Sequence, residues 1–86
     1  DVVFGELYPV PARDVAELRI SLARAGTVEL QCVDVLGRVL LHERRELYSA
    51  GTHHLSMKLP DGIGSAMLLR IRAGGAWHSR LLPVHR

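Results

Sequence analysis

Along four stretches of the chain, apolar residues alternate with polar ones at period two. Leu18, Ile20 and Leu22 alternate with Glu17, Arg19 and Ser21, and Val28, Leu30 and Cys32 alternate with Glu29 and Gln31. Further on, His53, Leu55, Met57 and Leu59 alternate with His54, Ser56 and Lys58, and Met67, Leu69 and Ile71 with Leu68, Arg70 and Arg72. Successive side chains of a strand point to opposite faces, so this period predicts half-buried β-strands. Residues 16–23 are rich in Ala, Glu, Leu and Arg, which favour helix, but strict alternation outweighs propensity there.

Turn signals separate these stretches. The sequence QCVDVLGRVLL (residues 31–41) places Asp34 first and Gly37 fourth in a tetrad between two apolar runs. That is type I turn chemistry, and a left-handed glycine after such a turn closes a hairpin through a bulge. Residues 38–43 then return antiparallel as the second arm of a central hairpin. Ala25-Gly26 and Ala50-Gly51 mark further turns, residues 60–64 read as a loop, and Gly74-Gly75 predicts a two-residue hairpin. Residues 44–49 are polar and suit a strand edge running into a loop, with Leu47 or Tyr48 covering the core.

At the start, residues 1–7 form either a first strand or the end of a linker. Pro9 and Pro11 then withhold two backbone donors, so residues 8–12 are extended and stay outside any sheet interior. Residues 77–84 close the sheet, and Pro83 marks them as an edge or terminal strand. Six or seven short strands with turns every 8–12 residues predict an all-β chain. The expected fold is a small antiparallel β-sandwich of immunoglobulin-like type, filling residues 8–86 as one domain.

Composition limits what this sandwich can do. At 86 residues it lies near the lower size for folding without metal or disulfide, so its stability should be about 5 kcal/mol. Cys32 is the only cysteine; no internal disulfide is available, and its strand position suits a buried small hydrophobe. Residues 1–61 carry seven Lys/Arg against nine Asp/Glu, whereas residues 62–86 carry Arg70, Arg72, Arg80 and Arg86 with no acid. A basic end suits an anionic partner, although arginines also decorate the solvent face of ordinary strands. No apolar run is long enough for a transmembrane helix, and the start carries no signal-peptide pattern. Asp1 stands where an initiator methionine would, so the sequence reads as a piece of a longer chain.

Catalytic patterns are missing. Among His42, His53, His54, His78 and His85, no two share a strand face, and no carboxylate sits two residues from any of them. A metal site, or any other cofactor, therefore has no supporting pattern. There is no Gly-x-Ser-x-Gly elbow, and Gly62-Ile63-Gly64 is too short to cradle phosphate. Trp77 and Tyr48 could form a sugar-stacking platform, yet in a chain with four aromatic residues core or edge cover suits them better. A small net charge of +2 without aromatic platforms argues against nucleic-acid binding. The expectation is a protein that is not an enzyme.

Taken in order, the motifs resemble the C-terminal sorting domain, type A, of type IX (Por) secretion substrates. They are Tyr8-Pro9-Val10-Pro11-Ala12, Asp14, the strand 18–22, Asp34-Val35-Leu36-Gly37-Arg38, Ala50-Gly51-Thr52-His53, Ser65-Ala66-Met67 and the basic-flanked segment 80–86. Val10, Ser65 and Met67 stand where the family pattern has Asn, Gly and Tyr. The resemblance implies a targeting module at the end of a larger exported protein, whose own N-terminal signal peptide takes it across the inner membrane. The resemblance further implies that the module engages the outer-membrane translocon from the periplasm, and that a sortase-like peptidase removes it at the cell surface, often with attachment of the cargo to anionic lipopolysaccharide.

A folded β-module can offer an edge strand and a fixed terminal segment for recognition. On this reading Arg80, Leu81, Leu82, Pro83, Val84, His85 and Arg86 form the recognised segment, and Asp34 and Gly37 are structural. Removing residues 81–86 should then leave the fold intact, and the edge strands are open to weak self-association. The alternative is a non-catalytic accessory sandwich of a secreted enzyme, either a fibronectin- or immunoglobulin-like spacer or a carbohydrate-binding module.

Overall fold

The alternating stretches become strands in the computed structural model, which describes residues 2–85. In order they are β1 (Val2–Tyr8), β2 (Val15–Leu22), β3 (Gly26–Val33), β4 (Val39–Leu47), β5 (Gly51–Lys58), β6 (Ala66–Arg72) and β7 (His78–Pro83). The first stretch is therefore a strand and not a linker. β1-β2-β5 form one antiparallel sheet and β4-β3-β6-β7 the other. This is the immunoglobulin arrangement with the fourth strand paired beside the third. No helix among the described residues is long and apolar enough to cross a membrane.

The two sheets meet over the side chains that the period picked out. Leu18, Ile20, Leu22, Val28, Leu30, Cys32, Leu55, Met57, Leu59, Met67, Leu69 and Ile71 are all buried in one core. Leu82 and Val84 join them from the terminal strand and Ala12 from the proline segment. Cys32 Sγ lies 3.7 Å from Met57 Sδ. Burial, helped by the nearby Glu43 charge, pushes its thiol up to about 12, so it is a neutral packing group at pH 7.

The β3–β4 hairpin closes as its sequence requires. The Gly37 N–H donates to the Asp34 carbonyl at 3.0 Å, and Gly37 takes φ +85°. Asp34, only 5% exposed, accepts at Oδ1 from the Leu36 and Arg38 N–H groups at 3.0 and 2.8 Å. Its Oδ2 meets Arg38 Nε at 2.7 Å. The register steps by one residue between Cys32↔Leu41 and Val33↔Val39, which is the expected bulge.

Open space surrounds the position where a Gly37 Cβ would stand, so Gly37→Ala costs backbone strain alone. We expect a loss of about 1 kcal/mol, read as a fall in melting temperature of roughly 4–8 °C. An unchanged melting temperature would contradict the strained assignment. The Arg38 N–H chiefly, with the Arg38 guanidinium and the Leu36 N–H, holds the Asp34 carboxyl below its usual range against the opposing effect of burial. A carboxyl whose folded pKa is depressed stabilises the fold above its unfolded pKa, and this contribution disappears as pH falls through the folded value. Melting temperature should therefore drop below about pH 4, and Asp34→Asn should flatten that drop. Parallel pH profiles of the two proteins would show it.

Two local expectations need correction, the Gly74-Gly75 hairpin and the start of the last strand at residue 77. β6 ends at Arg72 and β7 starts at His78, paired through Ile71↔His78, so the Gly74-Gly75 link is a five-residue loop and not a two-residue hairpin. Trp77 leaves the ladder to lie against Arg70 and Arg72, which delays pairing until His78. Polar residues 44–47 form the strand edge read from the sequence, continuing β4 to Leu47 before the loop, because an edge strand tolerates charge on its inward face. Leu47 packs on the core, whereas Tyr48 is 89% exposed and covers nothing.

Inward-facing arginines close both open seams of the sandwich. On β4, Arg45 and Glu43 face inward opposite Val28 and Leu30; Arg45 binds Glu43 and donates across to the Ser56 carbonyl of β5 at 2.9 Å. On β7, Arg80 stands opposite the core residue Leu69, donates to the Gly5 carbonyl of β1 and lies 4.8 Å from the Phe4 ring centre. Each clasp occupies an edge carbonyl that an added strand could use, which disfavours edge-to-edge pairing at that point.

Candidate recognition surface

Strand alternation divides the segment picked out from sequence. Leu82 and Val84 point into the core, Leu82 without any exposure. Arg80 closes the seam to β1. Leu81 (61% exposed), Pro83 and His85 face solvent. Arg86 lies outside the described residues. A partner could therefore read Leu81, Pro83, His85 and the exposed part of Arg80, while Leu82 and Val84 hold the strand down. The expectation that residues 81–86 are dispensable for folding does not stand, since their removal takes two buried side chains out of the core.

The proline segment is bonded to this strand. Pro9 and Pro11 cannot donate, so the β1 ladder stops at Tyr8, and Ala12 supplies the next pairing. Its N–H donates to the Pro83 carbonyl at 2.9 Å, and its carbonyl accepts from the His85 N–H at 2.6 Å. Together they form an isolated parallel bridge, Ala12↔Val84. The Val84 N–H is taken by the Ser65 carbonyl at 2.8 Å. Ala12 is fully buried and belongs to the core cluster. Arg13 Nη2 lies 3.5 Å from His85 Nδ1, and Tyr8 stacks on His54 with its hydroxyl 3.0 Å from Nε2.

Between these segments lies an open cleft of about 660 Å³ lined by Pro9, Pro11, Arg13, Asp14, Val15, Glu17 and His85. Its walls join residues from both ends of the sequence, which spacing alone could not bring together. Pro9, Pro11 and Val15 give its lining an apolar part, and Arg13, Asp14 and Glu17 give it both signs of charge, so the cleft suits an extended peptide segment better than a compact ion.

An apolar row on the outer face of the larger sheet was also missed. Val39, Val33, Leu68 and Leu81 pair in register across β4, β3, β6 and β7. Leu68 (38% exposed) and Leu81 stand in the solvent phase of their strands. The signal was present in the sequence, because Leu68 interrupts the polar series completed by Arg70 and Arg72. Beside this row, Trp77 has the Arg72 and Arg70 guanidinium carbons 4.5 and 4.8 Å from its ring centre and His42 edge-on at 6.3 Å. Tyr48 shares no ring contact with it among the described residues, so the sugar-stacking pair does not assemble.

The histidines are spread over separate neighbours. His42 faces Glu29, His53 Nε2 meets the Ser49 carbonyl at 2.7 Å, His54 serves Tyr8, and His85 faces Arg13. Among the described residues no three His, Cys, Asp or Glu side chains converge as metal ligands would. In comparisons with known proteins, the chain matches no protein-family model and no curated protein.

Proposed function

We propose that this chain is a sorting module that directs a larger exported protein through a type IX outer-membrane translocon. On this reading it passes through the periplasm, is removed at the cell surface by a sortase-like peptidase, and carries out no reaction of its own. One observation carries the reading. The Tyr-Pro-x-Pro-Ala segment and the terminal strand, at opposite ends of the motif series, are bonded through Ala12 into one surface. A recognition module needs its address held in fixed geometry, because preorganisation lowers the ordering cost of binding.

The address comprises Leu81, Pro83 and His85 with the neighbouring proline cleft. Asp34 and Gly37 act at a distance by holding the central hairpin. Residues 1–86 should be fused behind a fluorescent protein that carries its own signal peptide, in a host with a working type IX system. Fluorescence should reach the cell surface or medium and remain periplasmic in a translocon-deficient host. Periplasmic retention in both hosts would contradict the reading and favour an accessory sandwich.

A further inference from the structure

The outer face of the larger sheet carries a side-chain cluster that neither the core nor the address uses. Glu29 and Gln31 of β3 stand in register with Arg72 and Arg70 of β6, and Gln31 also pairs with His42 of β4. Trp77 packs over the two arginines. Within this group the charges are unequally matched. Arg72 is neutralised by Glu29, with Nε and Nη2 at 2.8 and 2.7 Å from Oε2. Glu29 Oε1 faces His42 Nε2 at 3.3 Å. Among the described residues Arg70 has only a neutral hydrogen-bond partner, the Gln31 amide oxygen at 3.2 Å.

The cluster therefore holds a half-buried guanidinium that no carboxylate among the described residues pairs with. The Gln31 amide N–H groups and the Trp77 indole N–H add donors that no acceptor among the described residues meets. A donor-rich, acceptor-poor patch against a half-buried aromatic ring favours an oxyanion, and an arginine fork fits a carboxylate or phosphate through paired N–H groups. Leu68 lies two residues from Arg70 on the same face and pairs with Leu81, so apolar surface begins where the donors end. We propose that Arg70, Gln31 and Trp77 form a binding site for a carboxylate or phosphate group, with Leu68 contacting an apolar body attached to it. This site is distinct from the proline cleft and does not depend on the sorting role.

Trp77 is the only tryptophan, so indole fluorescence and the single indole N–H resonance report on this site alone. Both should be followed at constant ionic strength during titration of the 86-residue chain with inorganic phosphate, acetate and hexanoate, using chloride as the control. We expect saturable changes in roughly the millimolar range, with hexanoate binding more tightly than acetate. Saturation by phosphate but not the carboxylates would assign the site to phosphate groups; the reverse would assign it to carboxylates. Arg70→Gln should weaken binding about tenfold or more, as expected for loss of a charge-assisted hydrogen bond, while circular dichroism stays unchanged. Absence of saturation with all three probes, or equal affinity in Arg70→Gln, would overturn the proposal.

Discussion

Leu82→Ala will lower the unfolding free energy by roughly 2–5 kcal/mol, the usual cost of emptying a fully buried leucine site. Leu82 has no solvent exposure and pairs directly with the equally buried Met67. In a domain expected to have about 5 kcal/mol in total, that loss leaves a substantial unfolded population at ambient temperature. Chemical denaturation followed by circular dichroism should show the midpoint collapse, and removal of residues 81–86 should be at least as damaging. A midpoint within error of the parent protein would mean that the terminal strand is not part of the core. Loss of export after trimming these residues therefore cannot by itself be read as loss of an address.

Gly5→Ala will produce the second large effect, through a different cause. A Cβ at Gly5 would stand 2.8 Å from the Arg19 carbonyl oxygen of the paired strand, and backbone cannot rotate out of the way as a side chain can. The position lies where the β1–β2 register slips between Phe4 and Leu7, so the missing side chain lets the two backbones approach. We expect about 1–3 kcal/mol of overpacking cost. Because Gly5 is also the acceptor for Arg80, displacement of β1 should loosen that clasp. Arg80→Ala alone should be milder, and the two changes together should cost less than their sum, since they act on one contact. Strict additivity would show the clasp to be independent of the close approach.

Much of this fold was legible because burial acts on one strand face at a time. The residues picked out by period two in β2, β3 and β6 are the buried ones, and the Asp34 and Gly37 pair announced its turn through side-chain chemistry. Where an edge strand mixes charge with inward positions, as Glu43 and Arg45 do in β4, the period weakens and leaves the boundary open. The Gly74-Gly75 link failed for another reason. A turn signal reports what the backbone can do locally, whereas the loop length was set by Trp77 reaching Arg70 and Arg72.

The candidate surface was legible only in part. Its terminal half was visible as a basic segment, but spacing could not reveal which of residues 80–85 face solvent. Nor could it show that Ala12 would bond to Pro83 and His85 across the whole length of the chain. Such a contact leaves no local pattern, since one alanine after Pro11 reads as an ordinary loop residue.

A surface substitution separates an address from a structural strap. Leu81 is mostly exposed, so Leu81→Glu should preserve the melting temperature within a few degrees. The measurement is the fraction of an exported reporter reaching the surface or medium when fused to the parent module or to Leu81→Glu, both verified as folded. Strongly reduced export by the folded variant is the predicted result; equal export by both would contradict an address on this strand.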